Sequence, residues 1–327
     1  YPSNPTPRSE IDVARVNASG TIQWQVVAGS DIDMMADPGV SAFSTCVDEQ
    51  GGLLIGWYAF PHLQLAKIRA QRISGSGTLS WGSGGIDVDV TLGQPTVVAD
   101  GSGGAYLVCD AAFGDVWAQH LDASGNETWA TSGKMIFNHA STLSAVSATG
   151  CKGPNGGLYV AAGIEDLFIQ WVDSGGSFHF GPTGLQLTSN PGWQTGPRLC
   201  SDGAGGVLVA YTDYWYATVS DPKAYELSVA RVSPEGGVLW HEVGAWMGIY
   251  DETRMPTNCN IVPDGAGGLF LAWTESSYGG GRNDLLAMGI AGDGGLPTAD
   301  MDLMLPDAVH PGDAVTVEIV GHYLDAT

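Results

Sequence analysis

The side chains of this sequence best suited to chemistry gather between residues 213 and 275. Tyr214, Trp215, Tyr216, Tyr225, Trp246 and Tyr250 supply aromatic faces, with Asp213, Asp251 and Glu275 among them as carboxylates. Aromatic rings stack on the C–H faces of sugars while carboxylates accept hydrogen bonds from hydroxyls, so the combination suits a glycan. The competing expectation is that the same rings pack a long loop onto its scaffold. If the chain is an enzyme, Asp213, Asp251 and Glu275 are its acid/base candidates, because glycoside cleavage needs two carboxyls about 5 to 10 Å apart.

A second group of acids comes in alternating pairs, Asp31 with Asp33 and Asp87 with Asp89. Alternate residues of an extended chain point the same way, so each pair could offer oxygens to Ca²⁺, which takes six to eight of them. The competing reading is a solvated acidic loop. Cys46, Cys151 and Cys200 each stand five residues before a Gly-Gly pair and read as buried thiols, with a Cys151–Cys200 bond as the alternative. His241-Glu242 begins a zinc motif, but Ala245 stands where the second histidine would be. Asn17-Ala-Ser19 and Asn126-Glu-Thr128 are glycosylation sequons. No P-loop, GxSxG or CxxC motif occurs.

What positions these residues is a repeat. DEQGGLLIGW (48–57), DGSGGAYLVC (100–109), GPNGGLYVAA (153–162), DGAGGVLVAY (202–211) and DGAGGLFLAW (264–273) share an acidic or polar turn, a Gly-Gly pair and an apolar run. A second unit follows each copy, as in IRAQRISGSGTLSW and VWAQHLDASGNETW, and an extra copy, IDVARVNASGTIQW, opens the chain. In that unit Gly20, Gly77, Gly125, Gly176, Gly236 and Gly292 are followed four residues later by Trp24, Trp81, Trp129, Phe180, Trp240 and Leu296. Each unit reads as a β-hairpin, and two hairpins per ~50 residues make a four-stranded antiparallel blade a–b–c–d. The expected fold is therefore all-β, a propeller of six such blades over residues 1–300. Residues 301–327 either supply ring-closing strands or begin an immunoglobulin-like module.

Two further columns bear on function. Arg15, Arg72, His120, Trp171 and Arg231 lie five residues before the turn glycine, with Gly289 in the corresponding place of the decayed last copy, and the arginines there are expected to pair with turn carboxylates or carbonyls. The a–b and c–d turns are short, whereas the b–c and d–a connections vary widely and emerge together on the opposite face. Recognition is expected on that face, above all in the long loops of the fifth blade.

The DGxGG turn, the strand ending in aromatic-x-acid (AYTD 210–213, AWTE 272–275) and VWAQHLDASGNETW resemble the repeat of secreted bacterial β-propeller proteins over residues 11 to about 296. The fourth blade departs, with Ala161, Ala162 and Gly163 in place of the aromatic and the acid. The resemblance implies a fold and an extracellular setting, not a chemistry.

Composition agrees. With 35 Asp+Glu against 12 Lys+Arg the formal net charge is −23, and no basic stripe interrupts it, so nucleic acid is excluded as a partner. No run of 18 apolar residues occurs that could insert into a membrane. The chain opens on Tyr1, as would a processed or excised segment, and is expected to be secreted or at a cell surface. The leading expectation is a non-catalytic propeller module binding a glycan or an extracellular protein, or a structural part of a surface assembly. The alternative is a carbohydrate-active enzyme, a glycoside hydrolase or lyase, using carboxylates of the long-loop face.

Overall fold

A computed structural model describes residues 10–30, 43–59, 66–90, 93–110, 114–138, 147–163, 165–189, 192–214, 225–242, 254–277 and 283–295. The tail 301–327 lies outside the described residues, as do Asp31, Asp33, Trp215, Tyr216, Trp246, Tyr250 and Asp251. The chain divides into two compact units, residues 1–164 with 168–186, and residues 165–167 with 187–327.

In the first unit, β1 (Glu10–Val16) and β2 (Ile22–Ser30) form a two-stranded sheet. Three four-stranded sheets follow in simple up-and-down order. They are β3 (Phe43–Val47) to β6 (Ile86–Val88) through β4 (Leu53–Ala59) and β5 (Lys67–Ile73), then β7 (Pro95–Ala99), β8 (Ala105–Asp110), β9 (Val116–Leu121) and β10 (Lys134–Phe137), and then β11 (Ser147–Lys152), β12 (Leu158–Gly163), β13 (Leu167–Val172) and β14 (Leu185–Gln186). The second unit holds β15 (Trp193–Ser201), β16 (Val207–Tyr214), β17 (Tyr225–Val232) and β18 (Val238–Glu242) in one sheet, and β19 (Arg254–Pro263), β20 (Leu269–Ser277) and β21 (Asn283–Ile290) in another. All pairings are antiparallel, as the hairpin repeat requires, and these sheets are propeller blades. The middle strands are apolar on both faces because each blade meets a neighbour on either side: Leu54, Leu107 and Leu121 share one cluster, while Tyr106, Val160 and Val172 share the next.

The Gly-Gly turn is built around its aspartate. Asp48 Oδ1 accepts from the Gln50 and Gly52 amides, Asp100 from Ser102 and Gly104, Asp202 from Ala204 and Gly206, and Asp264 from Ala266 and Gly268. The other oxygen reaches the arginine column: Arg72 Nε and Nη2 donate to Asp48 Oδ2 at 3.1 and 3.0 Å, and Arg231 Nε to Asp202 Oδ2 at 2.9 Å. His120 Nε2 makes the same contact with Asp100 at 3.2 Å. Burial pushes the Asp48 and Asp100 carboxyls up, but the amide donors and the Arg72 or His120 partner outweigh it and hold both below the usual range. In the third four-stranded sheet Gly153 replaces the aspartate and Trp171 the arginine, so both halves of the latch are missing together.

The tryptophan column links one blade to the next. Trp24, Trp81, Trp129 and Trp240 donate Nε1–H to the carbonyls of Gly75, Ala123, Ser174 and Gly292, each two residues before the positive-φ glycine of the following hairpin turn. A Cβ on Gly77 (φ 86°) would sit 2.8 Å from the Trp24 ring, so glycine there serves both the turn and the contact. In the last hairpin the matching glycine is Gly294 (φ 86°), not Gly292, which moves the expected Gly292–Leu296 spacing by two residues. The four rings are equivalent in contact but not in burial: Trp81 and Trp240 are enclosed, whereas Trp24, in the two-stranded sheet, and Trp129 are half-buried.

The glutamine before the arginine column has a role that its spacing did not announce. Gln71, Gln119 and Gln170 are fully buried. Gln71 Nε2 donates to the Gly82 carbonyl while its Oε1 accepts from the Arg72 and Trp81 amides, and Gln170 repeats this with Gly181, Trp171 and Phe180. These amides clasp a detour between the hairpin and the outer strand. Where Ala14 and Ala230 stand instead, β2 and β18 run on without the detour.

Candidate functional site

The long-loop end of the β15–β18 sheet carries the candidate site. Register places Gln194 opposite Asp213 and Asp213 opposite Glu226, a polar row across β15, β16 and β17. One rung further toward the loops, Trp193 pairs with Tyr214 and Tyr214 with Tyr225, an aromatic row. β-Strand alternation sends consecutive residues to opposite faces of the sheet, so Trp193 and Gln194 belong to different sides. Trp193 is 39% exposed, an uncommon degree for so large a ring.

The polar row is braced. The Leu167 amide donates to Thr188 Oγ1 at 2.8 Å, Thr188 Oγ1 donates to Gln194 Oε1 at 3.1 Å, and Gln194 Nε2 donates to Asp213 Oδ1 at 2.7 Å. Thr188, Gln194 and Asp213 are all buried, so this chain fixes the orientation of the Asp213 carboxyl. Asp213 has no exposed surface and therefore offers no atom to a saccharide; the carboxyl beside it with partial access is Glu226. Burial, and then the Asp213 charge, push the Glu226 carboxyl above its ordinary value. Two rungs down the same face, the Tyr211 hydroxyl meets His241 Nε2 at 2.6 Å, and burial raises the Tyr211 phenol.

Of the residues expected at this site, Tyr214, Tyr225 and Glu275 are placed by their strand positions: the first two share the aromatic row, and Glu275 lies on β20, opposite Pro256 and Asp284. Trp193, Gln194 and Glu226 were not singled out from sequence. Trp193 and Gln194 follow Pro191-Gly192, an ordinary turn signal, and Glu226 becomes a neighbour of Asp213 only through pairing across the 215–224 segment.

Of the acids expected to offer oxygens to calcium, Asp87 pairs through Oδ2 with Lys67 Nζ and through Oδ1 with Arg69 Nε at 2.9 Å. Among the described residues no three His, Cys, Asp or Glu side chains come together as a metal site. All five cysteines are free, which sets aside the Cys151–Cys200 bond. Burial pushes the Cys46 thiol up to about 11 and those of Cys200 and Cys259 up to about 12. One more shifted acid lies in the first unit: burial raises the Asp110 carboxyl to about 6, although its Oδ1 accepts from the Gln94 amide at 3.0 Å. Among the described residues no helix is long and apolar enough to cross a membrane.

No protein-family model matches the chain, and no curated protein sequence does. Among solved structures the chain is similar to a polysaccharide lyase, an ulvan lyase bound to -[GlcA(1-4)Rha3S]-, with TM-score 0.52 and 12% identity over 83% of this chain and 76% of that one. It is also similar to an α-L-arabinanase of Penicillium chrysogenum complexed with arabinobiose, with TM-score 0.50 and 12% identity over 86% of each chain. At such identity the likeness is one of fold, the β-propeller.

Proposed function

We propose that this chain is an extracellular glycan-handling propeller that receives saccharide at the long-loop end of the β15–β17 rungs. The observation that carries the reading is the exposed Trp193 at the head of the Trp193–Tyr214–Tyr225 row, one rung from the Asp213–Glu226 pair. A ring presented at a strand end is a stacking platform of low conformational cost for the C–H face of a sugar. The two structural relatives, an ulvan lyase and an arabinanase, make a saccharide the first ligand class to try. The test is a glycan array followed by calorimetry on its hits, with Trp193→Ala as the control. Binding that Trp193→Ala leaves intact would move the site elsewhere.

Cleavage is the second reading, favoured by one observation: Glu226 is held toward its protonated form beside a buried carboxyl, as a general acid must be. Release of reducing or unsaturated ends from arabinan or ulvan, lost in Glu226→Gln, is the expected result. If neither polymer is cut while saccharide binding is retained, the site binds without turnover.

A further inference from the structure

Away from the glycan site, the β7–β10 sheet brings a carboxylate, an imidazole and a hydroxyl into one line. Asp100 Oδ2 lies 3.2 Å from His120 Nε2, and His120 Nδ1 lies 2.7 Å from Thr128 Oγ1. Asp100 and His120 are 6% and 7% exposed, whereas Thr128 is exposed. The hydrogen placement follows from the partners. Burial alone would raise the Asp100 carboxyl, but the Ser102 hydroxyl and amide, His120 and the Gly104 amide outweigh it and hold it as an ionised acceptor. Nε2 must then carry the imidazole hydrogen, which leaves Nδ1 as a lone pair and makes the Thr128 hydroxyl the donor. Tyr106 stacks on the imidazole at 4.2 Å and fixes its plane, and the Trp129 ring lies tilted against the same imidazole at 5.9 Å.

We propose that Thr128 is a nucleophile activated by His120 and Asp100, and that it accepts acyl groups from aryl esters of small carboxylic acids. Thr128 Oγ attacks the ester carbonyl carbon while its proton passes to His120 Nδ1; the Asp100 carboxylate stabilises the imidazolium. The tetrahedral adduct collapses, the aryl–oxygen leaving group takes the proton from Nδ1, and acyl-Thr128 and a phenol result. The His120 carbonyl, 3.3 Å away, is the other acceptor within reach of the Thr128 hydroxyl.

The sibling blades supply the control. At the His120 position they carry Arg72 and Arg231, which make the same contact to the turn aspartate but have no lone pair. His120→Arg should therefore keep the latch and lose the base. With p-nitrophenyl acetate as probe, the whole chain should release one equivalent of p-nitrophenol in a rapid burst and carry one acetyl group mapped by mass spectrometry to Thr128. His120→Arg should slow the burst at least about 100-fold with an unchanged melting temperature, Thr128→Val should abolish the adduct, and Thr128→Ser should retain it. Equal release by wild type and Thr128→Val, or an acetyl group mapped only to lysines, would overturn the proposal; so would full activity in His120→Arg.

Discussion

Asp213 and Glu226 stand opposite one another on adjacent strands, the first wholly enclosed and tied to Gln194, the second reaching solvent. Directly opposed like charges disfavour double ionisation, so one member of the pair is pushed toward its neutral form.

Asp213→Asn is accordingly expected to lower the Glu226 pKa by removing the neighbouring charge while leaving burial in place. Glu226 in the folded protein lies above the ordinary carboxylate value, so its contribution to stability is full below the unfolded pKa and fades as pH rises through the folded one. Carbon-detected NMR titration of the Glu226 carboxyl should show a lower midpoint in the variant. An unmoved midpoint would mean that Asp213 is not the source.

Asp110 follows the same sign with a named window. Its carboxyl titrates at about 6 when folded against an ordinary 3.8, so the wild type loses stability relative to Asp110→Asn as pH rises from about 4 through 6. The asparagine oxygen can still accept from Gln94. Denaturant melts should favour the variant by about 3 kcal/mol at pH 7 and show little difference at pH 4. A pH-independent difference would contradict the assignment.

The Asp–Arg latch makes a prediction by transplantation. Arg231→Ala leaves the buried Asp202 without its cation and should cost about 3 to 5 kcal/mol. In the blade lacking both members, Gly153→Asp or Trp171→Arg alone should destabilise, and the double change should recover part of the loss. A double-mutant cycle reads the coupling directly, and additive losses would show that the blade cannot form the latch.

Trp81→Phe keeps one aromatic ring and removes the Nε1 bond to Ala123 together with part of the indole. A loss of about 1 kcal/mol is expected, against about 3 to 5 for Trp81→Ala. Similar losses for both would make the hydrogen bond, rather than the ring, the main blade-to-blade contact.

The blade repeat was legible because its signals are local in sequence: a turn aspartate with its glycines marks one hairpin, and a turn glycine with an aromatic four residues on marks the next. The error at Gly292 arose where GDGG offers three glycines in four positions, and only backbone φ separates Gly294 from the others. The role of Gln71, Gln119 and Gln170 was hidden because each satisfies carbonyls and amides of a detour ten or more residues away. The site was half legible. Asp213, Tyr214 and Tyr225 drew notice by type, but Gln194 and Glu226 gain their meaning from register across connections whose length says nothing of which rungs meet.

The central claim, that saccharide is received at the Trp193 end of the second unit, is tested most directly by calorimetric titration of wild type and Trp193→Ala with the strongest hit of a glycan array. Trp193 is already solvent-exposed, so the variant should melt within a degree or two of wild type while its affinity falls at least about tenfold. Equal affinities in the two proteins, or an array without any binding to the wild type, would contradict it.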